Sequence, residues 1–225
     1  MKILALETAT DPGSVALWLD GRVVGCDCPR GLSNSAALLP TAEAALKAEG
    51  LKFSDLDGIA FGMGPGSFTG LRVSCGVAQG LAVALDKPLL GVGTLDAVAL
   101  AAGSGRVIVT LDARMGEVYY GLFADGLARG EIGVCPPERV PLPASSGWLA
   151  CGNGLSAYPA LRERLAGVVS EWRPDLLPRA EFVARLAAPR LARGERVDPA
   201  DAAPFYVRDK VAKTVAERLA EGGRA

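Results

Sequence analysis

The sequence predicts an α/β protein of two lobes, each a β-β-β-α-β-α series, divided near residue 102 into 1–102 and 103–225. Three observations predict it. An apolar run, Asp57 to Phe61, enters a turn carrying Gly62, Gly64, Gly66 and Gly70 and continues into a long pattern of small and apolar residues, which reads as strand, tight turn and helix. Two other apolar runs, Ile3 to Glu7 and Arg106 to Asp112, each end on an acid, pass through a polar turn and return as β-type residues, the signature of a degenerate duplication. Between them, Ala36, Leu39, Ala42, Ala45 and Leu46 recur at three- and four-residue spacing, as on one face of a helix.

Taken in order, Ile3 to Glu7 and Val15 to Leu19 form a hairpin, and Asp20-Gly21 turns the chain into Arg22 to Cys28, completing a three-stranded meander. A helix follows from Ser33 to Glu49, with Ser33 or Asn34 as cap, Gly50 as stop and Pro40 as an internal kink. Ser67 is placed to cap the next helix, Phe68 to Leu85, and Lys87-Pro88 ends it before a short buried strand, Leu89 to Val92. The second half opens with a helix over Thr94 to Ala102. After the repeat of the hairpin come a third strand near Glu131 to Val134, a proline-rich connector from Pro136 to Pro143, and a strand at Trp148 to Cys151. A helix then runs from Gly154 through Leu165, another spans Pro178 to Arg193, and Lys210 to Gly223 reads either as an exposed amphipathic helix or as a solvated tail.

Composition excludes more than it selects. With 225 residues, half of them hydrophobic, the chain can bury a sizeable core, and 24 basic against 25 acidic residues raise no broad field for nucleic acid. The N-terminus meets an acid at Glu7, too early for a signal peptide, and the greasiest stretch, Leu81 to Ala102, is broken by Asp86, Lys87, Pro88 and Asp96, so the expectation is a cytoplasmic protein with no membrane span. Five scattered cysteines without a Cys-x-x-Cys read as buried thiols. The chain has no histidine. That removes a Ser-His-Asp triad, a Cys-His pair and any His-based zinc site, and no metal site is expected.

The glycine turn gathers free backbone donors at the positive end of a helix, which suits an anion; equally, glycines there let strand and helix pack closely. It is neither a Walker A loop nor a Rossmann fingerprint. An acid beside threonines at the end of the first strand is the donor set a phosphate or Mg-phosphate would need. The candidate nucleotide or anion contacts are therefore Glu7, Thr8, Thr10, Gly64, Gly66, Ser67, Thr69, Arg72 and Asp112. Gly76 and Gly80 lie one turn apart on the second helix, a face that packs closely either on its own sheet or on a partner helix.

Two lobes that each begin with an acid-bearing hairpin describe the actin, hexokinase and Hsp70-like ATPase fold. Within it, Leu6-Glu7-Thr8-Ala9-Thr10, the run from Gly62 to Arg72, Ala78-Gln79-Gly80-Leu81-Ala82 and the run from Asp112 to Tyr119 resemble the signature blocks of the TsaB family, also called YeaZ, in the right order over most of the chain. The resemblance implies a non-catalytic subunit in bacterial synthesis of N6-threonylcarbamoyladenosine in tRNA. It implies a TsaD-like paralogue carrying the metal and the transferase site, a TsaE-like ATPase, and tRNA reached only through the complex. The two first-lobe helices are the implied docking elements, with Leu38, Leu39, Ala42, Leu71, Ser74, Gly76 and Gly80 as candidate contacts. A homodimer is expected when the partner is missing. No tightly bound cofactor is expected, with weak ATP or ADP and Mg the candidate ligand. The sequence departs from the pattern at Glu7, where the wider fold usually has Asp, and at Asn34 to Ala37, where TsaD-like catalysis uses histidines. The competing readings are a small-molecule kinase, with Asp112 as its base, and a glycopeptidase-type protease, disfavoured by the missing histidine.

Overall fold

The computed structural model of the chain describes residues 1–103 and 105–208. The expected tail helix at 210–223 lies outside the described residues. The first lobe contains β1 (Lys2–Glu7), β2 (Ser14–Leu19), β3 (Arg22–Asp27), α1 (Asn34–Ala48), β4 (Gly58–Gly64), α2 (Phe68–Leu85) and β5 (Leu89–Gly93). Its sheet has the order β3-β2-β1-β4-β5, antiparallel through the meander and parallel from β1 to β5. The central strands are apolar along their interiors, Ile3 to Leu6 and Ile59 to Phe61, because both faces are covered. Leu4, Leu6, Ile59 and Phe61 point to the side of α1 and α2, whereas Ile3, Ala5 and Ala60 point to the other.

The second sheet repeats that order as β11-β10-β6-β7-β8, built from β6 (Arg106–Asp112), β7 (Val118–Ala124), β8 (Leu127–Ala128), β10 (Trp148–Cys151) and β11 (Val169–Arg173), with β9 (Gly133–Cys135) also paired to β7. The duplicated topology is that of the actin, hexokinase and Hsp70-like ATPase fold. The repeat is imperfect. Where the first lobe has α1, the second has a loop with a single short turn at Pro137–Arg139. The helix expected from Gly154 through Leu165 is two pieces, α4 (Gly154–Ala157) and α5 (Pro159–Leu165), because Pro159 has no N–H to continue the ladder and instead begins a new helix. Strand β11, with Glu171 exposed on the sheet edge, has no counterpart in the sequence reading.

Two helices cross between the lobes. α3 (Thr94–Ala102) follows β5 yet buries Leu95, Val98 and Ala99 against Val107, Val109 and Phe123 of the second sheet. α6 (Ala180–Ala192) follows β11 and returns to the first sheet. Its buried stripe, Ala180, Val183, Ala184, Ala187 and Ala188, lies on Ile3, Ala5, Ala16 and Ala60, small residues meeting small residues so that helix and sheet approach closely. Ser14 Oγ accepts the Ala180 N–H at 2.9 Å, and Arg179 pairs with Asp27 at 2.9 Å. The division at residue 102 therefore separates the two sheets but not the two packing units, since α6 completes the first lobe.

The chain then stays on the first lobe. Val197 N–H bonds Leu89 O at 2.8 Å, Gln79 Nε2 on α2 donates to Pro199 O and Ala202 O at 2.7 and 2.9 Å, and Phe205 N–H bonds Met63 O at 2.7 Å. Arg208 finally pairs with Glu117 beside β7 of the second lobe. By length and mean hydropathy (1.3) α2 would satisfy a membrane span. Its Cys75, Ala78 and Ala82 are nevertheless packed into the core of the first lobe.

Two glycines of α2 differ in what surrounds them. A Cβ on Gly70 would stand 1.9 Å from Thr8 O, so β1 and α2 approach only because the side chain is missing; a Cβ on Gly80 would meet nothing within 4 Å. Gly70→Ala should therefore cost about 2 kcal/mol or more in urea unfolding. Gly80→Ala should stabilise the isolated chain by about 0.5–1 kcal/mol through helix propensity.

Candidate functional site

A cleft of about 410 Å³ opens between the lobes. The turn after β1 and the N-terminus of α2 form one wall, the turn after β6 and Asn153 form the other, and the segment 205–208 closes one side. Of the candidate anion contacts, Thr10, Gly66, Ser67, Thr69 and Asp112 line it. Ser67 caps α2 as expected, its Oγ accepting the Gly70 N–H at 3.3 Å.

Contrary to the expectation from sequence, Glu7, Thr8 and Gly64 do not line the cleft; their polar groups are bonded inside the first lobe and at the start of α3. Thr8 Oγ1 donates to Gly70 O at 2.6 Å. Glu7 is 1 % exposed. Its Oε1 accepts the Ala9 N–H at 2.7 Å and its Oε2 accepts the Thr94 hydroxyl at 3.2 Å, while Thr94 Oγ1 in turn accepts the Gly64 N–H at 3.1 Å. The carboxylate occupies space that only a glycine leaves open, since a Cβ on Gly62 would lie 2.0 Å from Oε2. Burial pushes its pKa from the ordinary 4.5 up to about 7, against the opposing effect of the Ala9, Thr94 and Thr8 hydrogen bonds.

Asp112 is half committed in a different way. Its Oδ1 accepts the Arg114 N–H and the Tyr158 hydroxyl, both at 2.8 Å, and its Oδ2 pairs with the Arg114 guanidinium at 3.1 Å; its own N–H donates to Asn153 Oδ1 at 2.9 Å. With the oxygens of Glu7 and Asp112 engaged in this way, the residues present do not fit a magnesium ion, and no group of three His, Cys, Asp or Glu residues set to hold a metal occurs among the described residues. Asn153, Thr94, Tyr158 and the 205–208 segment escaped the sequence reading. They come from distant parts of the chain, and no local pattern marks them.

A second surface lies on the outer side of α1 and α2. Leu38, Ala42, Leu71 and Ser74, expected as contacts, are buried, and Ser74 Oγ donates inward to Gly62 O at 3.3 Å. They occupy the helix positions that face the sheet. The open face is displaced from them around each helix: Leu39 is exposed on α1, and Gly76, Gly80 and Val83, at i, i+4 and i+7, form a stripe on α2. Val83 is 69 % exposed and neither glycine has a neighbour within 4 Å of an added Cβ. Arg72 belongs to the cleft rim, where its guanidinium lies 3.8 Å over the Phe68 ring.

Duplicated sheets, crossing helices and an interlobe cleft define a protein of the two-lobed ATPase-like class. The profile of the TsaD family, tRNA N6-adenosine threonylcarbamoyltransferase, matches residues 32–131. The TsaB protein of Escherichia coli K12 is 39% identical over 226 residues, covering 94% of this chain and 96% of that one; the TsaB of Haemophilus influenzae is 31% identical over 94% and 95%. A YeaZ structure from Pseudomonas aeruginosa superposes with a TM-score of 0.81 at 39% identity, covering 91% of this chain and 99% of that one. A second Pseudomonas aeruginosa structure, described as similar to peptidase YEAZ, gives 0.81 at 40% over 92% and 99%. The chain belongs to the TsaB (YeaZ) family of tRNA threonylcarbamoyladenosine biosynthesis proteins.

The raised pKa of Glu7 sets a sign. Below about pH 4.5 Glu7 is protonated in both folded and unfolded chains; as pH rises toward 7 the unfolded chain loses this proton first, and above 7 the folded chain carries the full penalty of a buried charge. Stability measured by urea unfolding should fall by about 3 kcal/mol between pH 4.5 and 8 from this group, and Glu7→Gln should remove that part of the slope.

Proposed function

We propose that this chain is a non-catalytic subunit that docks a TsaD-type transferase through the open face of α1 and α2 and so supports formation of threonylcarbamoyladenosine in tRNA. The observation that carries the reading is the Gly76, Gly80 and Val83 stripe beside Leu39. Two glycines inside an 18-residue helix weaken it by about 1 kcal/mol each relative to alanine, and among the described residues nothing fills the space they leave. A partner helix brought to that face would approach the backbone closely. The same face supports a homodimer when the partner is missing, because a small apolar surface of this kind is self-complementary under two-fold symmetry. A TsaE-like ATPase joins the assembled pair.

The chemistry of the cleft supports the same reading. The one carboxylate lining it that was a candidate base, Asp112, is held by Tyr158 and Arg114, which weighs against a kinase. The protease reading has no histidine to draw on. Weak ATP or ADP binding is assigned to the cleft, with Thr10, Ser67 and Thr69 at the phosphates and no magnesium held by this chain.

The docking assignment is tested by Gly80→Phe. The variant should no longer co-purify with the TsaD-type paralogue and should fail to support tRNA modification, while its melting temperature stays at or above that of the parent chain; undiminished co-purification would sink the assignment.

A further inference from the structure

The rim of the interlobe cleft differs in chemistry from its floor. Arg72 stacks its guanidinium 3.8 Å over Phe68, and Phe68 stands 5.5 Å from Tyr206, the two rings tilted by 37°. The Tyr206 hydroxyl accepts from Arg72 Nε at 3.0 Å, and among the described residues the two outer nitrogens of the guanidinium have no hydrogen-bond partner. Among the described residues Arg72 pairs with no carboxylate. Tyr206 is 41 % exposed, and Phe205 and Met115 are exposed beside it along the cleft. The segment that carries Phe205 and Tyr206 is anchored on either side, because the Phe205 N–H bonds Met63 O and Arg208 pairs with Glu117.

We propose that this rim receives an unpaired nucleotide of an RNA strand, its base against Tyr206, Phe205 and Met115 and its phosphodiester at the outer edge of Arg72. The proposal rests on the tRNA reading above and names the part of this chain that the tRNA touches within the complex. Aromatic faces and arginine planes are the usual seats for splayed bases, and one phosphodiester carries one charge, which one arginine matches. A nucleoside triphosphate suits the rim less well, since Glu7 and Asp112 have their oxygens engaged and hold no cation to neutralise its charges. With a formal net charge of −1 the chain supplies little long-range attraction, so the contact is a local one made most strongly when a partner has already bound the RNA.

The test measures fluorescence anisotropy of an end-labelled oligoadenylate and of an unmodified tRNA transcript, with the chain alone and with the chain bound to its TsaD-type partner, using AMP as competitor. Tyr206→Ala and Arg72→Gln should each weaken RNA binding by the complex roughly tenfold, and Tyr206→Phe, which keeps the ring but not the hydrogen bond to Arg72, should lose less than Tyr206→Ala. The salt slope of binding should drop by about one in Arg72→Gln. Melting curves of each variant report whether the fold is kept, and co-purification with the partner separates this proposal from the docking assignment: weakened RNA binding by a variant that still holds the partner supports it. It is overturned if the Ala and Gln variants bind RNA as the parent does, if they weaken AMP binding as much as RNA binding so that the rim belongs to the free-nucleotide site, or if the same substitutions release the partner and the rim proves to be a protein interface.

Discussion

The buried carboxylate of Glu7 ties together the ends of three neighbouring strands of the first sheet. Through its two oxygens it holds the turn after β1 by the Ala9 N–H and the start of α3 by the Thr94 hydroxyl, and through that hydroxyl it holds the Gly64 N–H at the entrance to the glycine turn. Burying a carboxylate costs free energy, and the raised pKa is the measure of that cost. What the carboxylate secures is the relative placement of the β1 turn, the α2 N-terminus and the helix that crosses to the second lobe. The glycines of the central turn follow from the same constraint. Gly62 leaves room for the Glu7 side chain, and Gly70 lets α2 sit against Thr8. The acid at the end of the first strand is thus directed into the protein's own backbone instead of into solvent where a metal would be.

The lobes are joined as an exchange. Each ends in a helix that covers the other's sheet: α3 leaves the first lobe for the second, and α6 comes back. The segment beyond α6 continues this return along β5, α2 and β4 and reaches Glu117 on the far side of the cleft. α2 is therefore held on one flank by the sheet and on another by Pro199 and Ala202. Among the described residues, its outer stripe of Gly76, Gly80 and Val83 is left open. A helix this firmly seated presents a surface of defined shape, which is what a docking face of small residues requires.

Much of the fold was legible in the sequence because it is written in local signals. Alternating and continuous apolar runs marked the strands of the first lobe, and the Ser67 cap with Lys87-Pro88 bounded α2 at its observed ends. The duplication showed in the two acid-ended strands, Glu7 and Asp112. What was not legible depends on partners far away in the chain. The alanine stripe of α6 shows a buried face but not which sheet buries it. The short β11, with polar residues on a sheet edge, carries too weak a pattern to be told from loop. Of the candidate anion contacts Thr10, Ser67, Thr69 and Asp112 line the cleft, whereas Glu7 and Thr8 turn inward, because side-chain direction at a strand end depends on the close approach of α2. Likewise the spacing on α1 and α2 identified two amphipathic helices, and the choice between Leu38 and Leu39, one residue apart, was settled only by where the sheet lies.

The return of α6 also bears on how the protein comes into being. Strand β1 is made long before Ala180–Ala192, yet that helix closes one of its faces. Until α6 is made, the Ile3, Ala5, Ala16 and Ala60 side of the first sheet waits for its cover, and the first lobe cannot finish before the second has been synthesised. A nascent chain of this design is obliged to complete its two lobes together.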